Sequence, residues 1–342
     1  MKNVGSCLML VLVAGFGLQA AAQKSSTSAS AAPLVLTGAI PLPNVQGRID
    51  HFAFDPNNRL FVSALGNNTE EVIDLSAQRV VHTITGLPRP QGVVYSPETN
   101  KLFVASDEGK VYIYDGSSFG LITTIDFHDD ADNLRYDPAD KRVYVGYGDG
   151  ESAAIGMIDA TTNKRLDEEY KVGAHPESFQ LESAGPDIFV NVPDLKQIVV
   201  INRKTREIKR WALTLDANFP MALDEADRRI FVATRVPPRM AVVDTASGHV
   251  LAALRCVQDS DDIYYDAARK RIYVTGGEGY ISIFKQKDAD HYEFLAKVPT
   301  DVGARTAGYF GKIGKKAFDR LYVAVPARAS RGAEVWIYTV QD

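Results

Sequence analysis

Cysteine is nearly missing from this chain. Among 342 residues there are two, Cys7 and Cys256. Cys7 falls in an N-terminal segment expected to be removed, so one thiol remains. No intramolecular disulfide can form, and stability has to come from packing. Cys256 is expected to act as a small buried hydrophobe rather than as a reactive thiol. Apolar stretches of membrane-spanning length are missing too. CLMLVLVAGFGL, residues 7–18, is twelve residues long, whereas a spanning helix needs about 20. Lys2 precedes this run and AAA (20–22) follows it, the layout of a secretory signal peptide over 1–22. Cys7 comes too early in the run to carry a lipid, so no lipoprotein is predicted. KSSTSASAAP, residues 24–33, is Ser/Ala-rich, and 23–33 is predicted to be a flexible leader. The expected location is outside the cytoplasm, periplasmic or secreted, with no transmembrane anchor.

An excess of positive charge is also lacking. The formal charge is −5. Removing 1–22 takes away one lysine and no acid, which leaves −6. Such a chain has no long-range attraction to nucleic acid or anionic lipid. No CxxCH, CxxC, HExxH or Walker pattern occurs. GSSFG (116–120) matches the hydrolase nucleophile elbow in letters only. That elbow needs a strand-to-helix turn, and this stretch falls between two predicted outer strands.

What the sequence does have is repetition. FAFDPNNRLFV (52–62), VVYSPETNKLFV (93–104) and LRYDPADKRVYV (134–145) share one pattern, an aromatic-rich strand, an acid or serine, a turn, and an aromatic-Val pair. It returns in FQLESAGPDIFV (179–190), MALDEADRRIFV (221–232) and IYYDAARKRIYV (263–274), and stretched in GYFGKIGKKAFDRLYV (308–323). The aromatic-Val pairs begin at 61, 103, 144, 189, 231, 273 and 322. Spacings of about forty residues with four short strands per unit predict an all-β seven-bladed β-propeller over 34–342. The chain ends before unit seven can supply a fourth strand. PLVLTGAIPLP (33–43) is predicted to complete that last blade and close the ring, leaving no unpaired sheet edge.

NNTEEVIDLSAQRVVHTI (67–84), the aromatic-Val segments and YVTG (273–276) resemble the YVTN-type (YncE-like) seven-bladed propeller family of exported bacterial proteins. The resemblance spans about 34–342 and concerns blade architecture. It implies exported scaffolds, ligand binders or lactonases, and fold alone assigns none of these.

In a propeller the first strand of each blade lines the central channel. Five residues before the residue that ends each first strand stand Asp50, Gln91, Asp132, Glu177, Phe219, Asp261 and Arg305. Six of the seven are polar, and His51, Asn133, His175, Asn218 and Asp262 adjoin them. Carboxylates ~7 Å apart at an effective dielectric of ~20 repel by about 2 kcal/mol per pair. A cation, a proton or an arginine offsets that cost. Oxygen-rich, cysteine-free surroundings favour Ca²⁺ or Mg²⁺. Arg235, in a loop expected on the same face, adds positive charge to one side. One expectation is a monomeric binder that holds a small polar molecule, an envelope polymer or a partner protein through Gln91, Asn133, His175, Asn218, Asp262 and Arg235. The other is an enzyme. In placement the ring resembles the metal sites of gluconolactonase-type propellers. That resemblance implies Asp132, Glu177 and Asp261 as ligands, His51 or Asp50 as base, and Arg305 steadying an oxyanion. The Asn-Gly pairs of that family are here QG (91–92) and DN (132–133).

Overall fold

The computed structural model describes Met1 and residues 32–313, 316–317 and 319–342. The expected signal peptide, apart from Met1, and the expected leader, apart from residues 32–33, lie outside the described residues.

Seven antiparallel sheets follow one another along the chain. Blade one is Phe52–Asp55, Arg59–Ala64, Thr69–Asp74 and Arg79–Thr85, from channel to rim. The inner strands of the later blades are Pro90–Ser96, Ala131–Asp137, Ser178–Leu181, Asp216–Asp224, Ser260–Asp266 and Ala307–Tyr309. In blade three the outermost strand is split, with Lys164–Arg165 and Tyr170–Lys171 both pairing with Ala154–Asp159. In blade seven the stretched repeat holds a small extra hairpin, Lys312–Ile313 with Lys316–Ala317. Leu34–Leu42 runs antiparallel to Ala333–Val340 and supplies the fourth strand of blade seven, with Leu34 opposite Val340 and Leu42 opposite Ala333. The ring is therefore closed by the N-terminal strand.

The aromatic-Val pair accounts for the repeat. Successive side chains on a strand point to opposite faces, and each second strand is covered by a blade on both sides. Phe61 packs with Val93, Leu102 and Val104 of blade two, while its neighbour Val62 packs with Tyr322 and Val335 of blade seven. Tyr144 faces blade four and Val145 faces blade two in the same way. At the closing junction, Tyr322 packs among Leu60, Val62 and Ile73 of blade one. Phe61, Phe103, Tyr144, Phe189, Phe231, Tyr273 and Tyr322 are all buried.

A second repeated device is an Asp or Asn at the end of the third strand. Asp74, Asp115, Asp159, Asn202 and Asp244 each accept the backbone N–H groups two and three residues on. These Asx turns fix the reversal to the outer strand. GSSFG forms one of them, at the turn after Asp115. Cys256 is buried and unpaired, and burial pushes its thiol up to about 12. Among the described residues no helix is long and apolar enough to cross a membrane.

Ile40 of the closing strand is fully buried among Leu60, Val335 and Ile337. Ile40→Ala should lower the unfolding free energy by about 2–5 kcal/mol, read as an earlier denaturant midpoint at unchanged slope. A change within error would contradict the closure described.

Candidate functional site at the channel mouth

Bulges place the channel residues of blades one, two, three, five and six, whereas in blade four the register is continuous and the Glu177 N–H donates to the Asn191 carbonyl. In blade three the inner strand advances three residues, Ala131 to Leu134, while its partner moves two, Tyr147 to Val145. Blades two and five repeat this between Pro90 and Val93 and between Asn218 and Met221. Blade six does so between Ser260 and Asp262. In blade one the Asp50 N–H donates to the Ser63 carbonyl, and the Ser63 N–H donates to that of His51. A bulge sets two residues against one and re-aims their side chains. Asp132 with Asn133, and Asp261 with Asp262, therefore all line the channel.

Two cavities share this wall. The channel cavity has a volume of ≈ 710 Å³ and the mouth cavity ≈ 330 Å³. Arg48, Asp132, Glu177 and Phe219 border both. The mouth cavity is further lined by Gln91, Asp130, Asp149, His175 and Asp194.

His175 is the centre of the mouth. Its Nε2 lies 3.6 Å from Asp132 and 4.0 Å from Glu177, and its Nδ1 lies 3.6 Å from Asp149 and 3.9 Å from Asp130. Asp132, His175 and Glu177 offer ligand atoms all within 4.8 Å of one another. Burial opposes charging of His175, but Asp132, Asp130 and Glu177 outweigh it and raise its pKa to about 10. Burial and then Asp132 push Glu177 up to about 8 and Asp130 up to about 6. Burial also opposes ionisation of Asp132, yet His175, His51 and Arg48 hold it below the usual carboxylate range. Asn133 braces this wall by donating to the Glu177 carbonyl at 2.5 Å. Gln91 donates to Asp130 at 2.8 Å.

A second cluster joins blades one, five and six. Arg48 contacts Asp50 at 3.2 Å and Asp261 at 3.7 Å, and Arg235 donates to Asp261 at 2.5 Å. The Arg235 guanidinium lies 3.6 Å from the centre of the Phe219 ring, a cation–π contact. His51 bridges Asp262, at 3.6 Å, and Asp50, at 3.9 Å. Burial raises the carboxyls of Asp50 and Asp261 above their ordinary values.

The residues expected to act together thus divide. Asp261 is held by arginines and is not part of the group formed by Asp132, His175 and Glu177. Arg305 pairs with Asp259 at 3.1 Å. Asn218 is buried beside its blade-four neighbours, donating to Asn191 and to the Gln197 carbonyl. Arg48 and Asp149 are the partners that the residue count overlooked. Arg48 stands two residues before Asp50, outside the counted position. Asp149 arrives from the loop YGDGE (147–151), which joins the second and third strands of blade three and, like the Arg235 loop, is expected on the mouth face, where it does lie.

His51 also makes stability depend on pH. Burial disfavours its charged form, but Asp50 and Asp262 raise its pKa to about 10, above the unfolded value of about 6.5. The folded state keeps this proton longer, so the stabilisation is complete below pH ~6.5 and is lost as pH rises toward 10. The melting temperature should fall across that window, and His51→Gln should flatten the fall. An equal slope in the variant would contradict the pairing.

No protein-family model matches the chain. Two curated proteins do, both called uncharacterised protein YncE. The one from Salmonella typhi is 25% identical over 205 residues, and the one from Salmonella typhimurium 24% over 205. Each match covers 58% of this chain and 55% of the relative, so the chain spans about half the length of the curated relatives it matches. Among solved structures, a chain of the mitotic checkpoint complex superposes with TM-score 0.74 at 14% identity, covering 98% of this chain and all (100%) of that one. A chain of Kuenenia stuttgartiensis hydrazine synthase gives TM-score 0.68 at 17% identity, covering 84% and 96%. At such identities the likeness concerns fold alone. Seven closed blades make the chain a seven-bladed β-propeller, and over 205 residues it is distantly similar to the YncE proteins.

Proposed function

We propose that the protein is an exported binder of a small polar ligand, taken at the channel mouth through a divalent cation held by Asp132, His175 and Glu177. One observation carries this reading. An imidazole and two carboxylates from two adjacent blades converge within 4.8 Å on the wall of a ≈ 330 Å³ cavity. Oxygen donors alone would favour Ca²⁺ or Mg²⁺. The imidazole moves the preference toward Zn²⁺ or Mn²⁺. Three protein ligands leave coordination positions for the incoming molecule. The apolar run at 7–18 with AAA at 20–22 supports export.

The open coordination also favours a second reading, a metal-assisted hydrolase of lactone type. A metal with free positions polarises a carbonyl and activates water.

Calorimetric titration of the chelator-stripped protein with Zn²⁺, Mn²⁺, Ca²⁺ and Mg²⁺ tests the cation site. One site is expected, tighter for Zn²⁺ or Mn²⁺, and weakened by about tenfold or more in Asp132→Ala. Absence of binding by all four ions would overturn the proposal. Turnover of simple lactones by the cation-loaded protein, lost on chelation and restored by the cation, would favour the hydrolase.

A further inference from the structure

Beneath the mouth the channel changes character. Two residues before the acid that ends or directly follows the inner strand (Asp137, Glu182 and Asp266) stand Arg135, Gln180 and Tyr264, in blades three, four and six. All three line the ≈ 710 Å³ channel cavity, with Phe52, Phe54, Tyr136 and Phe310. The Phe54 and Phe310 rings stack at 5.4 Å across the junction of blades one and seven. These aromatics are only partly buried, so they show apolar surface to the cavity. Its volume is that of a small-molecule site.

Arg135 is the unbalanced charge there. Its Nη1 donates to Asn133 Oδ1 at 3.1 Å and to the Leu134 carbonyl at 2.8 Å, and its guanidinium lies 5.4 Å from the Phe179 ring centre. Among the described residues it makes no ion pair, and its Nε and Nη2 donate to no protein acceptor. Gln180 and Tyr264 already donate to the carbonyls of Met221, at 2.7 Å, and Ala307, at 2.5 Å. The nearby mouth acids all face cations of their own, Asp132 and Glu177 facing His175, Asp261 facing Arg235, and Asp262 facing His51. An arginine fork with free donors matches a carboxylate, and a partly desolvated cation without a counter-ion gains most from one.

We infer that the channel is a second binding site, for a small carboxylic acid with an aromatic body, in which Arg135 holds the carboxylate and the channel aromatics hold the ring. This site goes beyond the cation site at the mouth and does not depend on it. The test is a titration of the full-length protein with benzoate and with benzamide, in the presence of a chelator so that loss of the cation site cannot mimic the result. Benzoate should bind at one site and benzamide about tenfold or more weaker. Arg135→Gln should lose the preference for benzoate, and Arg135→Lys should keep part of it. Thermal melting checks that each variant folds. Should Arg135→Gln fail to fold, the benzoate-to-benzamide ratio of the wild type still decides. Equal binding of the two probes, no binding of benzoate, or unchanged preference in a folded Arg135→Gln would each overturn the inference.

Discussion

Burial of each second strand on both faces is the constraint on which this structure depends. Period-two alternation sends Phe61 toward blade two and Val62 toward blade seven, and the same division recurs at Tyr144–Val145 and at Tyr322–Val323. Each blade is incomplete without both neighbours, so the sheets hold together only as a ring. Leu34–Leu42 supplies the last edge. A chain that keeps one cysteine in its expected mature form is stabilised by these seven apolar junctions instead of by cross-links.

The inner strands depart from that alternation, and the departure makes the site. One extra residue near the start of each bulged inner strand turns two successive side chains toward the channel. Where both are acidic, as at Asp261–Asp262, the repulsion has to be offset locally. Arg48, Arg235 and His51 supply the offset between blades one, five and six, and His175 supplies it at the mouth. The result is a charged collar with its charges paired around an aromatic channel, in which Arg135 alone among the collar and channel arginines lacks an acidic partner among the described residues.

Much of this was legible in the sequence because the repeat carries two periods at once. The forty-residue period locates blades, and the aromatic-Val pair locates the second strand, so the ring and its closure by residues 34–42 follow from counting. Counting five residues back also finds the bulge at Asp132 and Asp261, and in blade four, where the register is continuous, it finds Glu177 at the start of the inner strand, so all three fall on the channel wall. It does not say which neighbour shares the channel. Asn218 stands opposite Thr234 just before the bulge begins and is turned into the protein, whereas Asn133 lies within its bulge and reaches the channel. Nor does counting pair charges. Asp261 belongs with Arg48 and Arg235 because chain segments from three blades meet there, a contact between distant residues that carries no local signal. The hairpin at Lys312–Ile313 and Lys316–Ala317 explains why the last spacing is longest.

The central claim is that the mouth gathers Asp132, His175 and Glu177 to hold a divalent cation. Anomalous diffraction from crystals soaked in Zn²⁺, recorded above and below the zinc edge, tests it most directly. The account predicts an anomalous peak within ligand distance, ~2.0–2.2 Å, of His175 and of both carboxylates. A peak confined to Asp50 and Asp261, or none at the mouth, would contradict it.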